Sequence, residues 1–370
     1  MKRSFADILQ GLDSDRAQKV ARKLPEWAAV GAEIPTALAL EQCSSSATAG
    51  YKAGLVSYQS VLDLTGGMGV DSWAFSRVAD RVVYFERNEE LAEAAKRNFG
   101  RLGVANIEVR CETVTPETEL PEADLVYADP ARRDAAGRKV FLLEDCTPDI
   151  LTLLPMLLRK APAVLLKLSP MADLAMLADR LGSALREIHV VELDGEVKEI
   201  LCLLRHNTDL SEPDTVIVRL SGQAATAPED CLRFRLSEER ESEVRYAAEV
   251  RPGDTLLEPC AALLKAGAFR LPCARWGLLK LAPSTHLYLS SAAPDNGFFK
   301  AWRVCEVLPF GAAAFRQLKQ RYPRADVTSR NLPLGSADLQ KKIGVSPGGD
   351  VHIFGCRLAD ASAVLIVTQA

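Results

Sequence analysis

Apolar positions change period several times along the chain, and those changes divide it. From residue 1 to about 55, Ile8, Leu9, Leu12, Val20, Leu24 and Trp27 recur at helical spacing, Pro25 interrupts, and a run through Ala39 and Leu40 follows Pro35. Short apolar runs then alternate with helical patterns. Val61–Leu64, Arg81–Glu86, Ile107–Arg110, Ala123–Ala128 and Ala163–Leu168 read as strands. Helices are predicted from Val70, through Leu91–Leu102, over Thr147–Arg159 and over Ala172–Leu185. A hairpin-like pair, Ile188–Leu193 and Val197–Arg205, turns at Asp194-Gly195. This alternation predicts an α/β fold with a doubly wound, Rossmann-like parallel sheet that takes ligands at the carboxyl ends of its strands.

Around 207–215 the composition turns polar, which suggests a linker. Short strands and one small-residue helix, Pro259–Gly267, follow. From Ala301 the order is strand Trp302–Phe310, helix Ala312–Tyr322, strand Ala325–Ser329, helix Ser336–Ile343 and strands Val351–Arg357 and Ala363–Thr368. The expected division is a helical segment over 1–55, a sheet domain over 56–210, an intermediate domain over 211–295 and a small α/β plait over 296–370.

The chemistry concentrates at the strand ends. Asp63, Glu86, Glu112 and Asp129 sit at or just past four successive ones. Between Asp63 and the next helix runs Leu64-Thr65-Gly66-Gly67-Met68-Gly69, a turn that lets a ligand approach the backbone, with amides and a helix N-terminus aimed at it. The dinucleotide fingerprint G-x-G-x-x-G fails here, because Ser72 stands at the third glycine. Asp63 is also wrong for pyrophosphate: a buried carboxylate needs a cation or donors. The ammonium of an adenosine-bearing ligand such as S-adenosylmethionine would satisfy it; so would the turn backbone, if Asp63 is only a cap. Glu86 lies about 20 residues beyond the glycines, where a carboxylate accepts both ribose hydroxyls, and Glu112 suits an adenine edge. The hydroxyl-rich stretch Glu41–Lys52 is expected either to fold over the ligand as a lid carrying Ser45, Thr48 and Lys52, or to be a helix cap and linker.

Composition narrows the setting. The 370 residues carry a formal net charge of −4, lack a transmembrane-length apolar run, and begin without the apolar stretch of a secretion signal. Nine scattered cysteines with no C-x-x-C suggest reduced thiols and the cytoplasm, and four dispersed histidines predict no metal. Residues 311–370 hold eight cations against four acids, a local balance that suits phosphate contact or simply a solvated helix face.

The stretch from Asp63 to Pro130 resembles the class I S-adenosylmethionine-dependent methyltransferases. A closer likeness, through Glu41–Ser45, Asp63–Asp71, Asp129-Pro130-Ala131-Arg132-Arg133, Glu258–Gly267 and Ser329–Pro333, is to a bacterial group of such enzymes. Its members carry a ferredoxin-like domain and then a domain similar to the THUMP RNA-binding module. Trimethylguanosine synthases are more distantly similar. The resemblance implies S-adenosylmethionine as cofactor, held by Asp63, Thr65, Gly66, Gly67, Gly69, Asp71, Glu86 and Glu112. It implies Asp129, Pro130 and Arg132 at the reacting atoms, and RNA (tRNA or rRNA) as partner, touched by Arg133, Arg330 and Lys341. Amino-methylating relatives usually have a second proline and an aromatic ring where this chain has Ala131 and Arg132. Base stacking would fall to the Arg132 guanidinium, unless Arg132 and Arg133 bind phosphate.

The leading expectation is methyl transfer to a nitrogen of an RNA base, which needs no strong general base if the amine loses its proton after attack. A small-molecule methyltransferase and a non-catalytic RNA-binding protein on the same fold are the alternatives. A cytosine-C5 reaction would need a cysteine nucleophile, for which Cys146 is the nearest residue.

Overall fold

The structure is a computed structural model that describes residues 5–130, 146–206, 211–222 and 230–369. The chain divides into two units, Met1–Arg233 and Phe234–Ala370. Among the described residues no helix is long and apolar enough to cross a membrane.

Four helices open the first unit: α1 (Phe5–Lys23), α2 (Pro25–Ala29), α3 (Ala37–Gln42) and α4 (Ser46–Ala53). Pro25 occupies the first turn of α2, where its missing N–H costs nothing. The alternation follows as β1 (Ser60–Asp63), α5 (Val70–Ser76), β2 (Arg81–Phe85), α6 (Glu89–Arg101), β3 (Ile107–Arg110), β4 (Leu125–Ala128), α7 (Ile150–Lys160), β5 (Ala163–Leu168) and α8 (Leu174–Leu181). The last four strands are β6 (Leu185–Leu193), β7 (Glu196–Arg205), β8 (Asp214–Leu220) and β9 (Asp230–Phe234). Asp194 and Gly195 both have positive φ, which a two-residue β6–β7 hairpin requires.

The nine strands form one sheet in the order β3-β2-β1-β4-β5-β7-β6-β8-β9. β1 to β5 pair in parallel, and β7 runs antiparallel to both neighbours. The chain winds outward from β1 to β3, then returns to place β4 on the other side of β1. With right-handed crossovers, that reversal moves the covering helices from one face to the other and opens a crevice beyond the ends of β1 and β4. On one face Val61, Val82, Leu125, Leu165, Leu201 and Val191 pack with Trp27, Tyr51, Trp73, Phe75 and Phe99 from the helices. Burying one such aromatic or aliphatic side chain stabilises the fold by about 1.5–3 kcal/mol.

Strands β8 and β9 differ from the expected division. The stretch from residue 211 was expected in an intermediate domain, but β8 pairs with β6 in parallel and extends the first sheet. A polar connection marks a change of direction as readily as a change of domain.

The second unit comprises α9 (Leu236–Glu241), β10 (Arg245–Tyr246), β11 (Thr255–Pro259), α10 (Ala261–Lys265), α11 (Leu271–Trp276), β12 (Leu279–Ala282), β13 (Thr285–Ser290) and β14 (Phe299–Pro309). The expected plait completes it: α12 (Ala312–Arg321), β15 (Asp326–Arg330), α13 (Ser336–Ile343), β16 (His352–Arg357) and β17 (Ala363–Gln369). Its eight strands also form one sheet, β10-β12-β13-β11-β14-β17-β16-β15. The long β14 joins the halves, pairing with β11 through Phe299–Arg303 and with β17 through Arg303–Pro309. The segments on either side of residue 296 therefore share a sheet.

Candidate active site at the switch point of the first sheet

The glycine turn is shaped by the aromatic residues beneath it. Gly66 donates its amide to the Phe85 carbonyl at 2.8 Å, and a Cβ there would lie 2.0 Å from Cε2 of Tyr84. The Tyr84 hydroxyl in turn donates to the Gly67 carbonyl at 2.6 Å. Gly67 and Gly69 have φ of +54° and +86°, and a Cβ on Gly69 would meet the Phe99 ring at 2.6 Å. Three glycines thus answer three constraints: one close approach, one backbone sign, and one position with both.

Asp63 is buried at the end of β1 and accepts from the Thr65 amide at 3.0 Å and the Ser72 hydroxyl at 2.5 Å. Burial pushes its carboxyl up to about 7, against the two hydrogen bonds that favour the charged form. Asp63 therefore does cap the turn, as one of the two expected roles had it. Ser72, which fails the dinucleotide fingerprint, is its second donor.

Glu86 follows β2 and is clamped at both oxygens: Oε2 accepts the Gly67 amide at 2.9 Å and Oε1 the Asn88 amide at 2.8 Å. Asn88 also caps α6 through the Leu91 amide. Glu112 is exposed just beyond β3.

Asp129 stands just past the end of β4. Its amide donates to Thr65 Oγ1 at 2.6 Å, so the glycine segment holds the backbone of the Asp129-Pro130 pair. Lys167 on β5 donates to Asp129 Oδ2. Pro130 is buried. Arg132 and Arg133, with Ala131, lie outside the described residues.

Behind this pair is a charged layer that sequence reasoning did not assemble. Lys52 is wholly buried and donates to Glu199 Oε1 and Oε2 at 2.7 and 3.0 Å and to Ser44 Oγ at 3.1 Å; Asp71 Oδ1 lies 3.2 Å from its Nζ. Asp71 Oδ2 accepts from Ser44 at 2.8 Å and from the Tyr127 hydroxyl at 2.9 Å. Burial raises the Asp71 carboxyl, but Lys52 and Lys167 outweigh it and hold the group low. Burial dominates at Glu199 and pushes it up. The Asp71 carboxylate, expected at the cofactor, is thus engaged by Ser44, Lys52 and Tyr127.

Of the two roles expected for Glu41–Lys52, a lid or a helix cap and linker, the structure shows the cap. Ser45 and Thr48 close on each other as a capping box, Ser45 Oγ accepting the Thr48 amide at 3.1 Å and Thr48 Oγ1 the Ser45 amide at 3.2 Å. Helix α4 is buried against α5 as part of the core. Lys52 belongs to the ion cluster.

Arg330 and Lys341 belong to the second unit. Arg330 bonds Glu258 at 3.1 Å, joining two tail motifs 72 residues apart, and Lys341 is exposed on α13. Cys146 is half-buried ahead of α7. Among the described residues no group of three His, Cys, Asp or Glu is placed to hold a metal ion.

Two family models match the second unit: a ferredoxin-like domain over residues 256–296 and a THUMP-like domain over 299–370. The crystal structure of a candidate methyltransferase from Porphyromonas gingivalis W83 superposes with a TM-score of 0.85. The two chains are 33% identical, over 96% of this chain and 88% of that one. The chain belongs to this methyltransferase family. This chain carries a Rossmann-like methyltransferase sheet followed by ferredoxin-like and THUMP-like domains, as the resemblance implied. Weaker overlaps are with a ribosomal protein L11 methylase from Lactobacillus delbrueckii subsp. bulgaricus (18% identity, TM-score 0.32, 44% of this chain and 77% of that one). Another is with a tRNA (m1A58) methyltransferase from Aquifex aeolicus (16%, 0.37, 48% and 74%). No curated protein matches the chain by sequence.

Proposed function

We propose that this methyltransferase moves a methyl group from S-adenosylmethionine to a nitrogen of an RNA base, in the cytoplasm. The observation that carries the reading is the switch point itself. A side-chain-free turn, an acid clamped at its second glycine and an Asp-Pro pair tied to its threonine all converge at the ends of β1 and β4. The donor set fits the cofactor. Asp63 offers a carboxylate to an ammonium, Gly66, Gly67 and Gly69 leave room against the backbone, and Glu86 and Glu112 face ribose and adenine. Thr65 ties the turn to Asp63 and Asp129, and Asp71 joins the charged layer through Lys52 and Tyr127. When bound, S-adenosylmethionine supplies a methyl group already activated on a sulfonium.

The chain's own residues then have a positioning task. Asp129 Oδ1 and the Pro130 carbonyl accept hydrogen bonds from the target amine and aim its lone pair. Alignment of this kind is worth roughly 7–11 kcal/mol in favourable model systems. Arg132 covers the base, and Arg133, Arg330 and Lys341 contact RNA phosphates. The THUMP-like match over 299–370 and the cation excess in residues 311–370 support RNA as substrate.

The test incubates the protein with labelled S-adenosylmethionine and total cellular RNA lacking its own modification, then digests and separates the nucleosides. One labelled, N-methylated nucleoside is expected. Label in small molecules alone, with none in RNA, rejects the assignment.

A further inference from the structure

β5 reads Ala163-Val164-Leu165-Leu166-Lys167-Leu168, a strand buried except at its lysine, which is half-buried. A lysine there is costly unless it is paired. The parallel register sets Ala128 beside Leu166, so one step further along, Asp129 is the cross-strand neighbour of Lys167. The exposures of the two side chains differ: 12% for Lys167 and 37% for Asp129. The ammonium therefore approaches the carboxylate from the protein side. Among the described residues the Lys167 ammonium bonds Oδ2 of that carboxylate. Burial alone would lower the lysine's pKa, but Asp129, Asp71 and Glu199 outweigh it and raise it.

We infer that Lys167 is a positioning residue for methyl transfer: it anchors one oxygen of Asp129 so that the other meets the target amine. The inference rests on the function proposed above. Thr65 fixes the Asp129 backbone and Lys167 its side chain, so the carboxylate enters the reaction with little freedom left to lose. Lys52 makes the corresponding contact with Glu199 on β7, and Asp71 on α5 lies 3.2 Å from the same ammonium.

Two readouts separate this inference from the reading beneath it. The first is residue-resolved hydrogen exchange at the Asp129 amide, which needs no substrate. Lys167→Met should accelerate that exchange at least tenfold, and Lys167→Arg should restore it. The second is transfer to total cellular RNA with labelled S-adenosylmethionine, alongside calorimetry with S-adenosylhomocysteine. Lys167→Met should lower the turnover rate at least tenfold with product affinity changed less than threefold, and Lys167→Arg should recover most of the rate. Unchanged exchange at Asp129 overturns the inference even if the wild type is inactive on RNA. Wild-type turnover by Lys167→Met overturns it too. An inactive wild type with exchange behaving as expected removes the proposed function and leaves the anchoring contact standing. If Lys167→Met does not fold, Lys167→Gln provides both readouts.

Discussion

Gly67 donates its amide hydrogen to Glu86 across 2.9 Å, joining the turn after β1 to the acid after β2. The same carboxylate accepts the Asn88 amide through its other oxygen, so its direction is set before any ligand arrives. If Glu86 binds ribose as proposed, an acid held this way has little rotamer entropy to lose on binding. Glu86→Ala removes the clamp on the turn and, under the proposed function, the ribose contact with it.

Gly66→Ala should be the most damaging small substitution in the turn. A methyl 2.0 Å from the Tyr84 ring must displace it, along with the hydroxyl's bond to Gly67. Overpacking of this kind costs about 1–3 kcal/mol, and donor binding should vanish. A Cβ on Gly67 would meet only the Thr65 carbonyl oxygen, at an ordinary 3.8 Å, but Gly67→Ala keeps a positive φ, so its cost should be nearer ~1 kcal/mol. Denaturant melts of the two variants give the order directly.

Asp63 makes stability and binding respond oppositely to pH. Its carboxyl is near 7 in the folded chain and about 3.9 unfolded. Between those values the folded state holds a proton that the unfolded state has released. This group's contribution is therefore most favourable below about pH 4, declines as pH rises toward 7, and is level above that. Asp63→Asn should flatten the stability profile over that window and equal or exceed the wild type at pH 8 in urea melts. A donor ammonium needs the ionised form, so S-adenosylmethionine should bind more tightly as pH rises from 5 to 7, and Asp63→Asn should lose that dependence.

Lys52 and Glu199 form a buried pair whose partners need each other. Lys52→Met strands Glu199 in the core and should cost about 3–5 kcal/mol. Lys52→Met with Glu199→Met should recover part of that loss. Additive losses in the double-mutant cycle would show that the two groups are not coupled.

The end of the first sheet gives a prediction about truncation. A chain cut after residue 210 lacks β8 and β9, exposes the edge of β6 and should lose cooperative melting. A chain cut after residue 234 keeps the sheet and should still melt cooperatively and bind donor. Thermal melts followed by circular dichroism compare the two.

Much of this was legible because it is local. Strand, turn and helix follow each other in sequence at Asp63–Val70, and Glu86 and Asp129 end short apolar runs, so the crevice could be outlined from periodicity. The charged layer was not legible, because Lys52 and Glu199 are 147 residues apart and meet only through sheet order. Lys167 carried a faint signal, one cation in an otherwise apolar strand. Ser45 and Thr48 left two readings open because a helix cap and a ligand-facing lid call for the same hydroxyls, and only the packing of α4 decides between them. β8 and β9 were assigned elsewhere because a strand's sequence does not state which sheet it joins.

The most direct test of the central claim is calorimetry with S-adenosylmethionine at pH 7.5. The wild type should bind one equivalent, Asp129→Ala should bind with similar affinity, and Glu86→Ala should bind at least tenfold more weakly. A wild-type chain that folds and takes up no S-adenosylmethionine would contradict the account.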